Sequence, residues 1–133
     1  MEKSDKSGGY FKGLILGDNL SHAYLFYGES YDEMKRQVLA LAYELESDGK
    51  DKSSGSQILI DANIIDATKS SSLGIDIVRE IKNFLWQRPL KSKKRTVIIL
   101  GAEELTNEAQ NAILKIIEDA PPSALIILVA TTP

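Results

Sequence analysis

Leu25–Glu46 reads LFYGESYDEMKRQVLALAYELE: an apolar run, a glycine, a short polar loop, and then Met34, Val38, Leu41 and Leu45 in one apolar stripe. Three-to-four spacing of apolar residues predicts an amphipathic helix. The apolar run before the glycine reads as a buried strand. A strand, a glycine-led turn and a helix together have the layout of a phosphate-binding loop, whose pattern is G-x-x-x-x-G-K-[ST]. Counted on from Gly28, Glu33 takes the second glycine position, Met34 the lysine position and Lys35 the hydroxyl position, and Tyr31 lies inside the loop. The scaffold is kept and its phosphate-handling groups are not.

The same alternation continues along the chain. Ala23–Tyr27 (AYLFY), Gln57–Asp61 (QILID), Thr96–Leu100 (TVIIL) and Ala124–Ala130 (ALIILVA) are short apolar runs bounded by Gly, Ser, Asp or Pro. They lack polar alternation, as strands buried on both faces of a parallel sheet do. Between them lie the stripe of Leu25–Glu46 and two more, Ile77, Val78, Ile81, Phe84, Leu85 and Ala109, Ala112, Ile113, Ile116, Ile117. These predict three crossover helices, with Thr106 as N-cap of the last and Pro121–Pro122 as its stop. An earlier short helix is expected over Tyr10–Leu16, and the polar runs Ser47–Ser56 and Thr68–Gly74 are expected to be loops. Right-handed crossovers between parallel strands give a three-layer α/β domain.

Composition limits the chemistry. No cysteine and one histidine, His22, in 133 residues leave no thiolate or histidine metal cluster. The net charge of −3 gives no general attraction to nucleic acid. The run Arg88–Arg95, RPLKSKKR, concentrates five cations (Arg88, Lys91, Lys93, Lys94, Arg95) and reads either as a weak DNA-phosphate patch or as a solvated loop entering a strand. His22 reads as a structural residue at a strand entrance, and Trp86 as the end of a core stripe. No apolar run reaches membrane-spanning length and the first ten residues are too polar for a signal peptide, so a cytoplasmic location is expected.

SHAYLFYG (Ser21–Gly28), LGIDIVREIKNFL (Leu73–Leu85), AQNAILK (Ala109–Lys115) and the surrounding Ala102–Pro133 resemble the bacterial clamp-loader family, the AAA+ subunits of DNA polymerase III. The likeness is strongest to the delta prime subunit, with gamma/tau as near relatives, and covers the chain from about Phe11 onward. It implies a P-loop NTPase fold of the AAA+, RecA-like kind with a mainly parallel sheet, here ending before the family's fifth strand, which leaves AYLFY at a sheet edge. Residues 1–133 are then one N-terminal domain, with 1–9 disordered and the family's lid and collar domains outside the chain.

The resemblance also locates departures. It puts Leu100 where the family has a magnesium-directing aspartate and Gly101 where it has the water-activating glutamate. Glu103 and Glu104 read as an acidic turn, since a slipped register would be needed to bring them to a metal. Thr131 and Thr132 fall at the family's γ-phosphate-sensing position. No catalytic residue, bound cofactor or metal is therefore expected. The implied role is a non-catalytic subunit working with gamma/tau and delta siblings in a hetero-oligomer, meeting primer-template DNA through that assembly. The rival readings are a P-loop nucleotide-binding enzyme with a distorted loop and a stand-alone interaction module on the same fold.

Overall fold

The computed structural model describes residues 23–28, 30–47, 59–68 and 75–131. Among these, the elements are β1 (Ala23–Tyr27), α1 (Tyr31–Ser47), β2 (Ala62–Asp66), α2 (Ile75–Leu85), β3 (Arg95–Leu100), α3 (Asn107–Asp119) and β4 (Ala124–Ala130), with one 3₁₀ turn at Ala102–Glu104. The four strands form one all-parallel sheet in the order β1-β4-β3-β2. The expected α/β class, with helices between parallel strands, is what the chain forms. The expected helix at Tyr10–Leu16, His22 and most of the two polar runs lie outside the described residues.

The central strands carry the apolar runs. Every residue of β3 is buried, and β4 is buried except for a half-buried Leu128. Alternate side chains feed two cores. On one face Met34, Val38, Leu41 and Leu45 of α1 pack on Tyr24, Phe26, Ile98, Leu100, Leu125, Ile127 and Val129. On the other, Ile81 and Leu85 of α2 and Ala109, Ile113 and Ile116 of α3 pack on Val97, Ile99, Ala124 and Ile126. Burying a side chain of this size is worth about 1.5–3 kcal/mol, so these stripes fix both layers.

β1 stands at the edge of the described sheet, as expected. The second strand is displaced from its predicted place, Gln57–Asp61: β2 is Ala62–Asp66, Leu59, Ile60 and Asp61 are not strand, and Gln57 and Ile58 lie outside the described residues. The reason is electrostatic. The Glu46 carboxylate, buried at the end of α1, accepts from the backbone N–H of Ile60 (2.9 Å) and of Asp61. Those amides are thereby taken from the ladder, which starts at the next residue, Ala62 opposite Thr96. Asp61 stays outside the strand and serves as an anchor.

α3 starts where its cap predicts. Thr106 has an extended backbone and its Oγ1 accepts from the Ala109 N–H at 3.1 Å. At the far end Ala120 is extended before Pro121, the conformation that a following proline imposes.

Candidate functional site

In open α/β sheets, ligands bind beyond the carboxyl ends of the strands. Only Gly28, residue 29 and Ser30 separate β1 from α1 here, whereas the phosphate-cradling pattern places four residues between its glycines. The helix has begun at Tyr31, within the notional cradle. Ser30 caps it: its Oγ accepts from the Glu33 N–H (3.2 Å) and its carbonyl from the Met34 N–H (3.1 Å). First-turn amides, the donors that would grip an anion, are thus partly occupied by the chain itself. Met34, at the lysine position, is buried, with Sδ 3.7 Å from where a Cβ on Gly28 would stand.

Charge at this edge is acidic. Asp32 and Glu33 lie in the first turn of α1, Asp66 ends β2, and Glu103 and Glu104 follow β3. The exposed Glu33 is bonded to Arg36 and to Gln37 (3.2 Å), and the Arg36 contact holds its carboxyl below the usual range. Lys35 is half-buried on the first turn of the helix. The Tyr31 hydroxyl reaches Asp66 Oδ1 (3.2 Å), which also accepts from the N–H and hydroxyl of Thr68 (3.0 and 2.6 Å). Burial, together with the Asp66 and Asp32 carboxylates, pushes the phenol of Tyr31 up, so it stays protonated and donating.

At the end of β3, Leu100 is buried and Gly101 has φ +76°. The Gly101 N–H donates to Val129 O (2.8 Å), and a Cβ there would overlap Thr68 Cγ2 and stand 3.2 Å from Thr68 N. Conformation and space both demand glycine, so neither position offers a carboxylate. Glu103 turns to Thr131, accepting from its hydroxyl at 2.8 Å and its N–H at 3.4 Å. Among the described residues no group of three His, Cys, Asp or Glu side chains is arranged to hold a metal.

The basic run divides. Arg88, Lys91 and Lys93 are exposed, while the Lys94 ammonium donates to Pro122 O (2.8 Å). Arg95 corrects the sequence reading: it is buried and does not belong to a surface patch. Its guanidinium pairs with Asp61 Oδ1 (2.9 Å), donates to Phe84 O (2.9 Å) and Gln87 Oε1 (2.8 Å), and lies 3.9 Å from the centre of the Phe84 ring. Asp61 also accepts from the N–H groups of Leu90 (2.8 Å), Lys91 (2.6 Å) and Ser92 (2.8 Å). Burial alone would raise its carboxyl, but these three amides and Arg95 outweigh it and hold the group below the usual range. One buried carboxylate thus moulds the whole basic loop.

A second cationic surface was not legible as a run. Arg79 and Lys82 of α2 and Lys115 of α3 line a groove of about 430 Å³ between these helices, with Trp86, Val78, Ala112, Ile116 and one acid, Asp119. Trp86 is not a core residue as the stripe suggested: it is 43% exposed, with the Lys82 ammonium 5.8 Å from its ring centre. The signal lies in the spacing. Arg79, Lys82 and Trp86, and likewise Ala112, Lys115 and Asp119, each follow an i, i+3, i+7 stripe.

Residues 5–133 match the family model described as DNA polymerase III, delta subunit. The chain belongs to the DNA polymerase III clamp-loader family. Its relatives agree: it is 30% identical over 88% of its length to a DNA polymerase III subunit gamma/tau of Mycoplasma pneumoniae, covering 18% of that protein. It is 36% identical over 71% of its length to replication factor C subunit 3 of Saccharomyces cerevisiae, covering 25% of it. A crystal structure of a DNA polymerase III gamma subunit-related protein from Thermotoga maritima superposes with a TM-score of 0.68 at 28% identity, over 92% of this chain and 38% of that one. The clamp-loader chain therefore spans well under half the length of these relatives, and the four-stranded sheet and its helices are the AAA+ fold.

Proposed function

We propose that this clamp-loader family member is a non-catalytic subunit of the delta prime kind, supporting sliding-clamp loading in DNA replication in the cytoplasm. One observation carries the reading: where an ATPase subunit would hold a lysine over its phosphates, Met34 is buried against Gly28 and Ser30 caps the helix. Phosphoryl transfer depends on a cradle, a metal anchor and a polarising carboxylate acting together. Leu100, Gly101 and Met34 supply none of these. The fold then serves as a rigid surface for gamma/tau and delta siblings, with the ATP chemistry carried by the gamma/tau type. Primer-template DNA is met within the assembly, and the α2–α3 groove contributes phosphate contacts through Arg79, Lys82 and Lys115.

Reconstitution tests this. The full-length protein mixed with a gamma/tau-type sibling is expected to co-elute as one complex, with all ATP turnover lost when the sibling's own phosphate-loop lysine is replaced. Turnover that survives that replacement would assign catalysis to this subunit and refute the proposal.

A further inference from the structure

Trp86 is the only tryptophan in the chain, and the helix stripe that presents it also presents the cations of the groove. The Trp86 N–H still donates to Lys82 O (3.1 Å), so the residue continues the last turn of α2 and keeps the i, i+3, i+7 alignment with Arg79 and Lys82. Across the groove stands Lys115, and Val78, Ala112 and Ile116 add apolar lining. A large aromatic left 43% exposed beside three cations and one acid is a poor solvent-facing choice but a good platform. The apolar lining has no use for a phosphate. It suits the flat face of a base.

We infer that Trp86 stacks an unpaired base while Arg79, Lys82 and Lys115 hold the adjoining phosphates, so that the groove selects single-stranded nucleic acid over duplex. The inference rests on the phosphate-contact reading of the groove given above. Duplex bases have both faces covered by their neighbours, and only an unpaired or terminal base can lie on an indole. The groove's volume of about 430 Å³ falls near the lower end for ligand clefts and suits a single nucleotide unit. Stacking is tolerant of base identity, because every base has a π face, so the selection is for strandedness and not for sequence. The Lys82 ammonium lies over the indole at 5.8 Å from its centre, a cation–π contact loose enough for the long lysine side chain to turn to the phosphate of a base that takes its place on the ring.

The test uses the full chain at low ionic strength, with a dye-labelled oligothymidylate and a dye-labelled duplex of equal length as probes, probe anisotropy as the affinity readout for every variant, and the tryptophan emission as a direct signal in the wild type. The single strand is expected to quench Trp86 saturably. Trp86→Ala is expected to weaken the single strand about 5- to 150-fold, the range of one lost base stack, with duplex binding unchanged and Trp86→Phe retaining most of the preference. Arg79→Glu with Lys115→Glu is expected to weaken both probes. Equal affinity for both probes, unmoved by Trp86→Ala, would overturn the stacking inference while leaving the phosphate groove standing if the charge reversal still weakens both. A charge reversal without effect on either probe overturns both readings. Quenching of equal size by an oligoglutamate reduces the groove to a general anion surface and overturns the inference. Because Trp86 is substantially exposed, its variants are expected to unfold at the wild-type temperature, and circular dichroism checks this.

Discussion

The Met34 sulfur lies 3.7 Å from the point where a Cβ on Gly28 would stand, so the residue at the lysine position of the phosphate-loop pattern sits in the apolar core beside that glycine. It belongs to the same core stripe as Val38 and Leu41. A lysine there would have to carry its ammonium out of an apolar site or shift its pKa, since an unpaired buried charge is strongly disfavoured. The helix start is thereby committed to packing.

Gly101 provides a second test at the end of β3. Its φ of +76° and the closeness of Thr68 make alanine unfavourable twice over. Left-handed backbone costs a non-glycine residue roughly 1–2 kcal/mol, and overpacking about 1–3 kcal/mol. Gly101→Ala is expected to lower unfolding free energy by about 2–5 kcal/mol in urea titration. Adding Thr68→Ser, which removes Cγ2 and keeps the hydroxyl on Asp66, is expected to restore part of the loss; a double variant no better than the single one would contradict the steric account.

The buried Asp61–Arg95 pair predicts a pH dependence. The Asp61 carboxyl is held below its usual value in the folded protein, so its stabilising contribution is complete above the unfolded value of about 3.9 and is lost as pH falls through the folded one. Asp61→Asn leaves Arg95 buried without its counter-charge, and breaking one partner of such a pair costs about 3–5 kcal/mol. The expected result is a strongly lowered melting temperature at neutral pH together with a shallower loss of stability below about pH 4 than the wild type shows. Parallel acid limbs for the two proteins would show that Asp61 is not the titrating anchor.

What the sequence discloses depends on how local the cause is. β4 matches its apolar run residue for residue, and Thr106 caps α3 through a contact three residues away, because burial on both faces and helix capping are written in neighbouring residues. β2 begins only at Ala62, beyond the apolar run that suggests it, because Glu46, fourteen residues before Ile60, takes the Ile60 amide out of the ladder. Arg95 looked like one of five surface cations because its partner Asp61 lies far off in the chain, and nothing in RPLKSKKR marks one arginine as buried. The α2–α3 groove escaped for the same reason. Arg79, Lys82 and Trp86 share a helical stripe, but Lys115 joins them only when the two helices pack on one face of the sheet.

The claim that the phosphate loop is closed is tested most directly by titrating the protein with Mg-ATP in a calorimeter. The account predicts no saturable heat up to millimolar nucleotide, and no change when Met34 is replaced by leucine, a near-isosteric core residue. Saturable binding in the micromolar range, weakened by substitution at Gly28, would contradict it.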